Sequence, residues 1–190
     1  MKHPRTLIIF DNAEKTFVGF TWKTGAKFMA RKDDLVLAVN SWDDCLKQLD
    51  NLFMGGQKFD VIQFWGHGSP GNVYVAGKDD PYEFWIALAS LVKSKESIVW
   101  LRVCSFFATK HGKREGNEIA AILKCKLMAH TYSIGHLASQ SGTRMIDKNN
   151  PPLWSNTEGI KGSKFKDSAP WAPHTVSALE NDPPKWATNE

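Results

Sequence analysis

The chain of 190 residues is 42% hydrophobic and 23% charged, which is typical of one soluble globular domain and excludes a disordered or fibrous protein. The formal charge of +4 is spread along the sequence, which argues against nucleic-acid binding, and no apolar run approaches the ~20 residues that span a bilayer. Cys45, Cys104 and Cys125 show no CxxC spacing, and the run LIIF is too short for a signal peptide. These features predict a cytoplasmic protein without disulfides or membrane contact.

The first third of the chain predicts three strands and one helix. Short apolar runs indicate the strands: TLIIF at 6–10, DLVLAV at 34–39 and FDVIQFW at 59–65. Ser41 caps a helix whose apolar residues recur at helical spacing, and the pair Gly55 and Gly56 ends it. Cys45 falls on the apolar side of this helix, where we expect it to act as a small buried hydrophobe.

The alternation of strands and helices continues to residue 135. In chain order the elements are a hairpin arm NVYVAG at 72–77, a helix opened by Pro81, a strand SIVWLRV at 97–103, a polar loop at 105–116, a helix from Asn117 to about Lys124, and a strand within CKLMAHTYSIG at 125–135. Strands that alternate with helices predict a mostly parallel sheet with helices on both faces. The predicted fold is therefore an α/β protein, a three-layer α/β/α sandwich.

The composition changes after the predicted core, which comprises residues 1–135. In residues 136–190 Ser, Gly, Asn and Pro become frequent and no helical period persists. We expect this segment to form loops that pack on the same domain. Trp154, Trp171 and Trp186 are candidate anchors, because large rings can attach irregular chain to a core.

A histidine and a cysteine follow two of the predicted strands. In VIQFWGHGSPGN, residues 61–72, His67 stands between two glycines where an apolar strand ends, and the next predicted strand of the sheet stops at Cys104. Because parallel strands end at one edge of a sheet, we expect the two side chains to be neighbours. An imidazole can activate a thiol as a nucleophile, and Gly68 leaves room for backbone N–H groups to approach an oxyanion. A turn histidine and an inert buried cysteine are the alternative.

The blocks DVIQFWGHGSPG and SIVWLRVCSFFA resemble the core of the clan CD cysteine peptidases, which include caspases, metacaspases, legumain, gingipain, separase and the bacterial CHAT group. The continuation GNEIAAILKCKLMAHTYSIG is also similar to the bacterial members, so the resemblance covers about residues 59–135. It implies a caspase-like fold, with Cys104 as nucleophile and His67 as the acid that protonates the leaving amine. It further implies an oxyanion hole formed by the backbone N–H groups of Gly68 and Cys104. The resemblance implies no third catalytic residue beside the cysteine and the histidine.

The chain departs from the caspase pattern next to the nucleophile. Val103 precedes Cys104 where caspases usually have Ala or Gly, and the bulky Phe106 and Phe107 follow it. The sequence also shows no second subunit or activation linker, which argues against maturation by cleavage.

Several charged residues are candidates for substrate binding. Arg102 and Arg144 could receive an acidic side chain and Asp147 a basic one, while Asp11, at the end of the first strand, could orient the substrate. A solvated surface charge, or for Asp11 a turn-forming side chain, is the alternative in each case. His111, His130 and His136 lack metal-ligand spacing, so no metal or other cofactor is predicted. The basic stretch GKREGN, residues 112–117, stands at the start of a predicted helix and could receive an anion, or could be a flexible basic loop.

These observations predict a cysteine endopeptidase that hydrolyses peptide bonds through a thioacyl intermediate, with a peptide or protein substrate and an activator or regulator left open. The first alternative is a catalytically inactive caspase-fold module that serves as a binding or scaffold protein. A second is a flavodoxin-like nucleotide-binding domain. Against this last reading, GHGSPG lacks the Gly-Lys-Ser/Thr ending that holds phosphates in a Walker loop.

Overall fold

The computed structural model describes residues 3–132, 134, 142–147, 151–156 and 158. Within them the helices are α1 (Phe17–Met29), α2 (Trp42–Met54), α3 (Tyr82–Leu91) and α4 (Thr109–Leu123). The strands are β1 (Thr6–Asp11), β2 (Leu35–Val39), β3 (Val61–Trp65), β4 (His67–Ser69), β5 (Asn72–Val75), β6 (Lys78–Asp79), β7 (Ile98–Arg102), β8 (Lys126–His130) and β9 (Thr143–Ile146). In this part of the chain, no helix has the length and apolarity needed to cross a membrane.

One sheet of six strands, in the order β2-β1-β3-β7-β8-β9, forms the centre of the fold. The first five strands run parallel, and β9 runs antiparallel to β8. Side chains alternate between the faces of the sheet, so Ile9 and Phe64 pack with α2, α3 and α4, whereas Ile8 and Phe10 pack with Trp22 of α1. Helices therefore cover both faces, which confirms the predicted three-layer α/β/α sandwich.

The strand order reverses between β1 and β3. The chain leaves β1 for β2 on one side and then crosses to β3 on the other side. In open parallel sheets the loops that follow two such strands diverge, and the crevice between them at the carboxyl ends is where ligands bind. The segment after β1, at residues 12–16, and His67 after β3 border this crevice.

A small antiparallel sheet, in the order β4-β5-β6, follows β3. The predicted hairpin arm is its middle strand, and His67 begins its first strand. Gly71 turns the chain with a φ of 82° and donates its N–H to the Phe106 carbonyl oxygen at 2.9 Å. The Asp80 carboxylate accepts the indole N–H of Trp85 at 2.7 Å. These bonds attach the small sheet to the loop after β7 and to α3.

Helix α1 lies in a segment for which the sequence predicts no element. The residues that it buries are mostly small: Gly19, Trp22, Gly25 and Ala26. Its large apolar residues face outward instead, and Phe17, Phe20 and Phe28 are exposed. Hydrophobic periodicity locates a helix by its buried apolar stripe, so a helix that packs through glycines gives no such signal.

Helix α4 begins at Thr109 and not at Asn117, so much of the predicted polar loop is helical. Its first two turns approach the core through Gly112 and Gly116, which are buried. A Cβ on Gly112 would lie 2.2 Å from the carbonyl oxygen of Phe106, so this close approach requires glycine. The other residues of these turns are mostly polar or charged, and the sequence therefore resembles a loop.

The expectation of loops throughout residues 136–190 is wrong for Thr143–Ile146, which form the antiparallel edge strand β9. The predicted packing of Trp154 on the core is confirmed. Its ring centroid lies 5.2 Å from that of Phe107, and its indole N–H donates to the Phe107 carbonyl oxygen at 3.2 Å. Trp171, Trp186 and His136 lie outside the described residues.

Candidate active site

The ends of β3 and β7 bring the two candidate catalytic residues to one edge of the sheet. The strands pair in parallel register with Trp65 opposite Arg102, so His67 and Cys104 each stand two residues beyond this pair. A Cβ on Gly68 would lie 2.6 Å from Cγ2 of Val103, so the segment after β3 lies directly against the segment after β7. The two strand exits are therefore adjacent, and the expected contact between the His67 and Cys104 side chains stays a prediction.

Cys104 differs from the other two cysteines in its exposure. Cys104 is half-buried, whereas Cys45 and Cys125 are buried. Burial raises the pKa of both buried thiols to about 12, so they stay protonated and unreactive at neutral pH. The expectation that Cys45 is a small buried hydrophobe is thus confirmed, and Cys104 is the cysteine that is not fully buried.

The backbone that follows Cys104 is strained. Ser105 has a φ of 55°, a left-handed conformation that side chains other than those of Gly and Asn rarely adopt. Its N–H donates to the Tyr132 carbonyl oxygen at 3.0 Å, which fixes the turn against the chain after β8. Strain of this kind is concentrated at functional sites. The bulky Phe106 and Phe107 are fully buried in the core, so they do not occupy the surface beside the thiol.

His67 is 48% exposed and is held by two residues of the segment that follows β1. Its Nε2 lies 3.0 Å from Oε2 of Glu14. The edge of its ring meets Trp22, with ring centroids 4.9 Å apart and an interplanar angle of 75°. Hydrogen bonds from Thr16, followed by the bond from His67, lower the pKa of Glu14 to about 2. Glu14 is therefore anionic at neutral pH.

Sequence reasoning did not identify Glu14 as a member of this site. It stands 53 residues before His67, and only the fold brings the two together. One signal was present, because the sequence places Asp11 and Asn12 at the same edge of the sheet as His67. An acidic residue three positions beyond Asp11 is near enough to have been included.

Asp11 is buried and not available to a substrate. One carboxylate oxygen accepts the N–H of Ala13 at 2.8 Å, and the other accepts the N–H of Ala76 at 3.1 Å. Ala76 has a φ of 53° in the turn between β5 and β6, so Asp11 ties the end of β1 to the small sheet. The geometry supports this structural role and not the predicted contact with substrate.

Arg102 is 3% exposed, so neither a substrate contact nor a solvated surface charge describes it. Its guanidinium lies 3.9 Å from the centre of the Trp65 ring and 4.8 Å from that of Trp100. It also donates to Oε1 of Gln63 at 3.1 Å. Stacking on these two rings and the bond to Gln63 stabilise the buried cation.

Arg144 forms a two-pronged ion pair with Glu158, in which both N···O distances are 2.9 Å. Glu158 also accepts the hydroxyl of Thr131 at 2.9 Å. Through Glu158, Arg144 of β9 is linked to Thr131, which directly follows β8. The Arg144 side chain is 42% exposed. A substrate carboxylate would have to compete with Glu158 for this guanidinium.

The two predicted oxyanion donors lie on neighbouring segments. Gly68 is in β4, opposite Val73 of β5, and Cys104 follows β7. The contact with Val103 explains why a side chain does not fit at position 68. The donor role of both backbone N–H groups stays a prediction.

His111 and His130 have partners outside the candidate site. His111 lies 3.4 Å from Glu115, and His130 is buried between Trp100 and Thr143, 3.2 Å from each. Among the described residues, no group of three or more His, Cys, Asp or Glu side chains could hold a metal ion. Comparisons of the chain with protein-family models, with curated proteins and with solved structures find no match.

Proposed function

We propose that the protein is a cysteine endopeptidase in which Cys104 is the nucleophile and His67 is the general acid and base. The observation that carries the proposal is the parallel register of β3 and β7, which delivers both residues to the same edge of the sheet. The last residues of these two strands, Trp65 and Arg102, stack on each other. His67 contacts Trp22, which packs with Trp65, so His67 lies on the same side of the sheet as this stack.

The reaction needs no group beyond these two side chains and water. The Cys104 thiolate attacks the carbonyl carbon of the scissile peptide bond, and the C–N bond breaks as His67 gives a proton to the leaving amine. Water then attacks the thioacyl carbon, His67 takes its proton, and the C–S bond breaks to release the carboxylate and the thiolate. Backbone N–H groups of Gly68 and Cys104 would stabilise the oxyanion in both steps.

Three further features support the proposal. Cys104 is the one cysteine of three that is not buried, and the residue after it has a strained backbone. His67 borders the crevice where the strand order reverses, which is the usual ligand site of such sheets. The three cysteines form no disulfide, which fits a reducing compartment, and we place the activity in the cytoplasm.

Labelling with a peptidyl acyloxymethyl ketone, read by mass spectrometry, tests the nucleophile. We expect one adduct, on Cys104, that is absent in Cys104→Ala and forms at least tenfold more slowly in His67→Ala, because an imidazole that activates a thiol contributes about this much or more. Cys45→Ala is the matched control, since a buried thiol should not affect labelling.

Cleavage of a peptide library by the wild type and by Cys104→Ala tests the activity itself. The proposal requires cleavage that the substitution abolishes. Equal cleavage by both proteins would show that the thiol takes no part and would refute the proposal.

The second candidate, a binding module without peptidase activity, is favoured by the outer face of α1. Phe17, Phe20 and Phe28 are 66%, 62% and 77% exposed on this face, and Lys23 and Lys27 line the shallow groove between Phe20 and Phe28. Exposed aromatic residues of this kind are typical of protein interfaces. Absence of labelling at Cys104 together with absence of cleavage would favour this candidate.

A further inference from the structure

We propose that Glu14 is a positioning residue that fixes the tautomer and the orientation of His67, an inference that rests on the proposed peptidase function. It would act through His67 and not on the substrate. Four observations carry it: the hydrogen bond that His67 donates to Glu14, the ionisation of Glu14, the anchoring of Glu14 at the start of α1, and the contact of Trp22 with the same imidazole.

The bond determines which nitrogen of His67 carries the proton. A carboxylate can only accept, so Nε2 of His67, 3.0 Å from Oε2 of Glu14, must be the protonated nitrogen. In the neutral ring the other nitrogen is then the base. Nδ1 is therefore the atom left to take a proton from the Cys104 thiol and to pass it to the leaving amine.

Glu14 itself is held from two sides. Its Oε1 accepts the N–H of Thr16 at 2.8 Å, and Thr16 is the N-cap of α1, with its hydroxyl accepting the N–H of Val18 at 3.3 Å. A Cβ on Gly19 would lie 2.1 Å from the carbonyl oxygen of Glu14, so the helix approaches this backbone more closely than any other residue type would allow. The start of α1 thus fixes where the carboxylate points.

Trp22 holds the same imidazole from another direction. It lies on the buried side of α1, packed with Ile8, Phe10 and Trp65, and its ring meets that of His67 edge to face. Glu14 and Trp22 belong to one short segment that follows β1, while His67 follows β3. The side chains that hold His67 therefore come from across the crevice where the strand order reverses.

A permanent negative charge beside His67 stabilises the imidazolium that forms when the thiol loses its proton to the ring. An anionic carboxylate in contact with the ring favours the charged form, so the thiolate–imidazolium pair is more populated when Glu14 is present. Removal of this charge should therefore slow reactions of the Cys104 thiolate near neutral pH. It should not slow them at high pH, where the thiol ionises without the imidazole.

The pH profile of Cys104 alkylation by iodoacetamide, read by mass spectrometry of the Cys104 peptide, tests the positioning role. We expect Glu14→Gln to react about threefold to fivefold more slowly than the wild type between pH 6 and pH 7, the size expected for a partly exposed ion pair, and equally fast near pH 10. Glu14→Asp, which keeps the charge on a shorter side chain, should recover part of the rate. Superimposable profiles for Glu14→Gln and the wild type would overturn the inference.

Asp44→Asn is the matched control. Asp44 also accepts a backbone N–H beside a helix start, from Asn40 at 2.9 Å, but it lies in α2 and not at the site. Its substitution should lower stability to a similar extent and leave the alkylation profile unchanged. If Asp44→Asn slows alkylation as much as Glu14→Gln does, the slower reaction is caused by lower stability and not by the loss of a positioning contact, and the inference is overturned.

A second measurement separates this inference from the peptidase proposal. In a Cys104→Ala background, long-range ¹H–¹⁵N spectra of the imidazole report the tautomer of His67 without any chemistry at the thiol. We expect the Nε2–H form when Glu14 is present and a mixture of tautomers in Glu14→Gln. A mixture in both would refute the role of Glu14. A fixed tautomer in Cys104→Ala, together with a protein of natural sequence that neither labels nor cleaves, would refute the peptidase proposal alone.

Discussion

The Arg102 guanidinium lies 3.9 Å from the centre of the Trp65 ring, and these two residues are register partners at the ends of β3 and β7. Trp65 is 2% exposed and Arg102 is 3% exposed, so the contact is inside the protein. Gln63 joins them, since its Oε1 accepts the Trp65 indole N–H at 2.8 Å and the Arg102 guanidinium at 3.1 Å. The cluster therefore fixes the two strand ends that lead to His67 and Cys104.

Substitution of Arg102 should lower the free energy of unfolding, because this arginine is buried and stacked and is not a surface charge. We expect Arg102→Lys to lower the free energy of unfolding by about 2 kcal/mol, because an ammonium cannot stack on two indoles and donate to Gln63 at once. Arg144→Lys, in a more exposed pair, should lose about 1 kcal/mol or less. Urea unfolding of both variants measures the difference, and equal losses would contradict the buried role of Arg102.

Thiol counting tests the exposure of the cysteines. In the native protein at pH 8 we expect Ellman's reagent to modify one thiol, Cys104, because burial raises the pKa of Cys45 and Cys125 to about 12. In denaturant all three should react. Cys104→Ala should give no rapid reaction when native and two thiols when unfolded. A second rapidly reacting thiol in the native protein would contradict the structure.

Gly68→Ala should disturb the contact between the two segments of the site. The added Cβ would lie 2.6 Å from Cγ2 of Val103, and overpacking of this kind costs about 1–3 kcal/mol. We expect a lower melting temperature and slower labelling of Cys104. In the double variant Gly68→Ala with Val103→Ala the closest contact, with Cγ2, is removed while the contact with Cβ of residue 103 at 2.8 Å remains, so part of the stability should return relative to the sum of the single effects. Strict additivity would contradict the contact.

Stability should fall between neutral and mildly acidic pH because of His130. Burial, and then the charge of Arg102, lower the pKa of His130 to about 3, whereas an unfolded histidine titrates near about 6.5. Below pH 6.5 the unfolded state takes up a proton that the folded state does not, so the stability that is present above pH 6.5 is lost progressively towards pH 3. The slope approaches about 1.4 kcal/mol per pH unit, or about 2 kcal/mol between pH 6.5 and pH 5.

Urea unfolding at pH 7 and pH 5 measures this loss. Glu14 contributes little in that window, because its pKa of about 2 lies below its ordinary value of 4.5 and its stabilisation is lost only as the pH falls from 4.5 towards 2. His130→Gln is the control, since a neutral side chain has no such dependence. If the variant loses as much stability as the wild type between the two pH values, His130 is not the cause.

The sequence by itself determined the order of the core elements and the edge of the sheet at which His67 and Cys104 lie. Apolar runs that alternate with helical patterns favour a parallel sheet covered by helices on both faces. In such a sheet the carboxyl ends of the strands lie at one edge. This reasoning depends only on local patterns and on topology. It therefore predicted β1, β2, β3, β7 and β8, the hairpin and the caps of α2 without any knowledge of packing.

Only the tertiary structure decided which side chains serve the site and which serve the core. Glu14 reaches His67 across 53 residues of chain, and Asp11 and Arg102, charged in the sequence, are withdrawn into backbone and aromatic contacts. Helix α1 and the start of α4 pack through glycines, whose close approach carries no hydrophobic signal. A local sequence pattern indicates whether a residue tends to be buried. The residues that it contacts depend on which distant segments the fold places beside it.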